Sequence, residues 1–91
     1  MFVVAAYDTP DDKRRGRFAK ILLDYGYRVQ RSVFEIEADN NMIREMIDRL
    51  QSVIDNENDS LRIYHICNRC LDEVDIIGQG SLTNQETVFI V

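Results

Sequence analysis

"FVVAAYDTPDDKRRGRFAKILLDYG", residues 2–26, passes from an apolar run through an acidic turn into a basic helix-like segment, and its reading decides the fold. Residues 2–7 are rich in strand formers without strict alternation, which predicts a central strand buried on both faces. Asp8 ends that run. Thr9 is a suitable N-cap, Pro10 suits a first helical position where its missing N–H costs nothing, and Asp11 and Asp12 favour the positive end of the helix dipole. Phe18, Ile21, Leu22 and Tyr25 then follow the i, i+3, i+4, i+7 spacing of one buried stripe, while Lys13, Arg14, Arg17 and Lys20 fall largely off it. Gly26 supplies the helix stop.

Outward from this unit, residues 28–38, "RVQRSVFEIEA", mix β-branched, aromatic and polar residues and read as extended. A second helix follows, capped by Asp39 or Asn40, with Ile43, Met46, Ile47, Leu50 and Ile54 on its buried face. "DNENDS", residues 55–60, is a loop. "LRIYHI", residues 61–66, alternates as a strand does, and "VDII" before Gly78 predicts a further short strand. The terminal "TVFIV", residues 87–91, is a β-prone apolar segment that would leave an exposed edge unless a partner chain's sheet covers it.

Ninety-one residues allow one small domain, 1–91, whose modest core makes burial in a dimer a natural supplement. The opening "MFVVAAY" lacks a cationic leader pattern and no apolar run approaches a membrane span, so the expectation is a cytoplasmic protein without a membrane partner. Eleven Lys and Arg stand against sixteen Asp and Glu, a net charge of −5, so nucleic-acid binding must come from a local patch.

Asp8, at the end of a central strand, has two readings. It is a turn residue before a helix, or a carboxylate offered to magnesium, which takes one or two carboxylates and keeps several waters. Lys13, Arg14, Arg15, Arg17 and Lys20 are either a solvated helix face or, doubled in a dimer, a surface for phosphates, with Arg28 and Arg31 extending it. Cys67 and Cys70 form "CNRC", half of a zinc site or a redox spacing; with no second pair, the reading is reduced structural cysteines. His65, the sole histidine, sits in an alternating strand and reads as structural.

The stretch "YDTPDDKRRGRFAKILLDYGYRVQRSVFE", residues 7–35, resembles the CRISPR-associated protein 2 family, supported by "RIY" at 62–64. The resemblance implies an α+β, ferredoxin-like βαββαβ fold, which requires a bend near Gln30–Ser32 to divide residues 28–38 into two strands. It also implies an additional C-terminal strand, residues 87–91, exchanged in a homodimer, with Phe34, Val88, Phe89 and Ile90 as interface residues; Phe34 reads equally as core. Asp8 becomes the catalytic and magnesium-binding residue, paired with Asp8 of a second subunit. Lys13, Arg14, Arg15, Arg17 and Arg31 become the nucleic-acid contacts. The implied role is spacer acquisition with the CRISPR-associated integrase on duplex DNA (the prespacer), with an endonuclease site for single-stranded RNA or duplex DNA. One carboxylate per chain is few for such a centre, so a non-catalytic bridge in the integrase complex is the rival reading, and a toxin-type ribonuclease of the same fold is a third.

Overall fold

A computed structural model describes residues 1–78 and Gly80. The elements run β1 (Phe2–Asp8), α1 (Asp12–Leu23), β2 (Tyr27–Gln30), β3 (Val33–Glu37), α2 (Asn40–Gln51), β4 (Ser60–Ile66) and a four-residue α3 (Asn68–Leu71). The sheet order is β2-β3-β1-β4, with β1 antiparallel to both β3 and β4, and β2 antiparallel to β3. α1 and α2 therefore each carry the chain over an intervening strand, the interlocked arrangement of a ferredoxin-like α+β domain. The expected bend is present: β2 and β3 meet at a turn through Arg31 and Ser32, and Tyr7 N–H donates to the Ser32 carbonyl at 3.1 Å.

The pleat sorts the strand residues. Val3, Ala5 and Tyr7 of β1, with Phe34 and Ile36 of β3, point to the helix side and pack with Phe18, Ile21 and Leu22 of α1 and Ile43, Met46 and Leu50 of α2. Phe34 has no exposed surface and packs near Tyr7, their ring centroids 6.2 Å apart, so its core reading holds and it is no interface residue. β1 is not buried equally on both faces. Val4 and Ala6, on the other side, are only half-buried, and Phe2 there is covered by Leu71 of α3. α1 and α2 pack on one side of the sheet, and among the described residues little but α3 reaches the other.

Three local expectations need correction. The helix starts two residues later than Thr9 implied: Asp11, in extended backbone, is the N-cap and accepts from Lys13 N–H at 3.0 Å. Thr9 is instead buried, its Oγ1 accepting from Asp11 N–H. Gly26 does follow the helix, its N–H donating to the Leu22 carbonyl, but φ there is not positive. Glycine is needed because a Cβ would fall on the Glu35 carbonyl oxygen and within 2.6 Å of Ile36 Cγ1. Finally, residues 74–77 form no strand; Ile77 is 95% exposed, and an isolated extended segment has no ladder to join. The C-terminal strand at 87–91, with Val88, Phe89 and Ile90, lies outside the described residues.

Candidate phosphate-binding cleft

The C-terminal end of β1, the start of α1 and the β2–β3 turn converge on an open cleft of about 770 Å³. Tyr7, Asp8, Thr9, Asp12, Arg15, Gly16, Arg28, Arg31 and Ser32 are among the residues that line it. The convergence follows from the ladder: Ala6 pairs with Val33, so the Arg31–Ser32 turn lies beside the end of β1. Tyr7 fastens it a second time, its hydroxyl donating to the Arg31 carbonyl at 3.4 Å.

Asp8 is exposed at the end of a rigid central strand, and its carboxylate makes no hydrogen bond or ion pair among the described residues. It faces Arg31 and Arg28 across the cleft, both also without an ion pair there; the Arg28 guanidinium stands 5.3 Å from the centre of the Phe34 ring. Arg15 is half committed: it pairs with Asp12 and donates to the Thr9 carbonyl at 2.9 Å, which fixes the turn just after Asp8. An exposed carboxylate flanked by cations can hold a hydrated divalent ion on one side and phosphate oxygens on the other.

The donor set fits magnesium only in its water-rich form. Among the described residues no three His, Cys, Asp or Glu side chains cluster to hold a metal, and Asp12 in the same cleft is already paired with Arg15. The cleft thus offers one free carboxylate, consistent with an ion that keeps most of its waters. His65 cannot assist. It pairs with Val3, five residues along the strand from Asp8, or about 16 Å, and its Nδ1 lies 3.2 Å from Met1 Sδ.

The basic cluster divides. Arg14, expected at phosphate, is turned onto the chain's own carboxylates: its Nε and Nη2 donate to Asp59 Oδ2 and Oδ1 at 2.8 and 3.2 Å, its Nη1 to Asp11 at 2.8 Å, and Asp55 lies 3.8 Å away. The Asp59 side chain has no exposed surface. The Arg14 hydrogen bond first, then that from Thr9 and the Asp55 N–H, hold its carboxyl at about 2. This network was invisible in the helix pattern because the partners are 45 residues apart. Lys13, Arg17 and Lys20 remain exposed and unpaired among the described residues.

A family model described as CRISPR associated protein Cas2 matches residues 1–74. The chain is 43% identical over 97% of its length, and 96% of the relative's, to a CRISPR-associated endoribonuclease Cas2 of Synechocystis. A crystal structure of a hypothetical protein from Thermus thermophilus is similar with a TM-score of 0.78 at 37% identity, covering 91% of this chain and 96% of that one. The crystal structure of Streptococcus pyogenes Cas2 gives 0.75 at 34% identity, covering 86% and 100%.

Proposed function

This chain belongs to the CRISPR associated protein Cas2 family, and from that premise we propose that it works as a homodimer in spacer acquisition with the CRISPR-associated integrase, gripping nucleic acid through phosphates. The observation that carries this reading is the cleft, where the unpaired Asp8 carboxylate stands among Arg15, Arg28 and Arg31. Arg31 and Arg28 orient a phosphodiester, with Lys13 and Arg17 tracking the backbone beside it, contacts that position without reading bases. Magnesium held by Asp8, and by Asp8 of the second subunit, would supply a polarised water and charge neutralisation for phosphodiester hydrolysis. The names of relatives, an endoribonuclease in Synechocystis and an endonuclease in Thermus thermophilus, support phosphodiester cleavage, with RNA the substrate class the first name gives.

Residues 1–91 act as one domain in this reading, with 87–91 crossing to the partner. Among the described residues β4 stands at the sheet edge, the place this reading gives to a fifth strand. The second reading is a non-catalytic bridge between integrase subunits; it is favoured by the single unpaired carboxylate that lines the cleft.

Asp8→Asn, assayed in parallel for nuclease activity and for spacer acquisition with the integrase, separates them. The exchange keeps size, removes the charge that attracts magnesium and leaves the Asp11 cap intact. Cleavage lost with acquisition retained supports the bridge. Loss of both supports the enzyme. Cleavage at the unaltered rate in a preparation free of contaminating nuclease overturns the assignment of Asp8.

A further inference from the structure

Cys67 and Cys70 lie away from the cleft, in α3 just after β4, and the proposed function uses neither. Both are exposed and free. Cys67 is the N-cap of α3 in extended backbone, and its Sγ accepts from the Cys70 N–H at 3.4 Å. That places the sulfur of Cys67 next to the residue whose sulfur it would have to meet in a disulfide.

We propose that Cys67 and Cys70 form a thiol–disulfide exchange site that takes low-molecular-weight disulfides, with Cys67 the attacking sulfur and Cys70 the resolving one. The Cys67 thiolate attacks one sulfur of a disulfide RSSR, forming a protein–SR mixed disulfide and expelling one thiolate, RS⁻. Cys70, having lost its proton to solvent, then attacks Cys67 Sγ and expels the second RS⁻, which takes up a proton. The protein loses two hydrogens, RSSR gains them as two RSH, and no other oxidant is required. The asymmetry has a physical cause. Donors converge on Cys67, the Cys70 N–H first, and favour its thiolate, pushing its pKa down; the neighbouring Cys67 sulfur pushes that of Cys70 up.

Oxidation leaves the fold as it is. The Leu71 N–H already donates to the Cys67 carbonyl at 2.9 Å, and Leu71 covers Phe2. A bond between residues 67 and 70 spans the same turn, which also joins the sheet to everything after residue 71.

The test uses the full reduced chain, incubated with oxidised glutathione at neutral pH and followed by intact mass. The unaltered protein is expected to end about two hydrogens lighter and free of adduct, as a monomeric polypeptide on a non-reducing gel. Cys70→Ser is expected to hold one glutathione on Cys67, and Cys67→Ser to react at least about fivefold more slowly. Cys67→Ser keeps an N-cap hydroxyl, so it folds, which circular dichroism checks. Two stable adducts, an unchanged mass, a disulfide between chains, or equal rates for the two serine variants would each overturn the proposal.

Discussion

Arg14 and Arg17 lie one turn apart on α1, and the helix pattern treats them alike. Their surroundings do not. Arg14 is held by Asp11, Asp55 and Asp59, around a carboxylate with no exposed surface, and ties the start of α1 to the loop before β4. Arg17, with Lys13 on the same helix and Arg31 at the β2–β3 turn, has no such partner among the described residues and faces solvent beside the cleft. A cation becomes structural when the fold brings carboxylates to it and removes water from them. It remains available to a ligand when the fold does neither.

Removing either side of the Arg14 network should have the largest effect. Arg14→Ala takes the cation and two hydrogen bonds from the Asp59 carboxylate, and stranding one member of such a pair costs more than the pair itself contributes. Thermal unfolding should show a large drop in midpoint for Arg14→Ala and for Asp59→Ala. The double variant should lose much less than the sum, and additive losses would break the distinction drawn above.

Acid should act on the same network. The Asp59 carboxyl titrates at about 2 in the fold against 3.8 ordinarily, so its contribution is fully present above about pH 4 and disappears as pH falls toward 2. Asp55 is lowered as well, by Asn58 and the Glu57 N–H first. Denaturant unfolding of the unaltered chain should weaken steeply over that window. Asp59→Asn, less stable at neutral pH, should converge on it near pH 2, and parallel curves would remove Asp59 from the account.

On the cleft side the effects should fall on binding. If Lys13, Arg17 and Arg31 each meet one phosphate, replacing all three with alanine should flatten the slope of log K against log salt on duplex DNA by about 2.7 per chain. Retention of the full slope would move the nucleic-acid surface elsewhere. The smallest effect expected is on stability: Arg17→Ala should shift unfolding by no more than about 0.5 kcal/mol, measured beside Arg14→Ala.

Much of this was legible in the residues. The apolar run ending at Asp8, the buried stripe of Phe18, Ile21 and Leu22, and the capped second helix are local patterns, and each appears where the spacing puts it. The cap itself shifted from Thr9 to Asp11, because Thr9 is drawn into the interior and Asp11 is the first residue whose carboxylate reaches the N–H two positions on. "VDII" failed as a strand because a β-prone composition says that a segment can pair and not that an edge is there to receive it.

The sequence by itself determined β1, the two long helices, β4 and the family, since these depend on periodicity and on residues close along the chain. Only the tertiary structure decided which cations are free, why position 26 excludes a side chain, and that Arg31 stands beside Asp8. The physical reason is one of range: hydrophobic periodicity is repeated along each element, whereas a salt bridge, a close backbone approach and a cleft are single meetings of distant residues. Arg14 and Asp59 meet because β4 runs antiparallel to β1, bringing Ser60 opposite Asp8 and so delivering Asp59 to the first turn of α1.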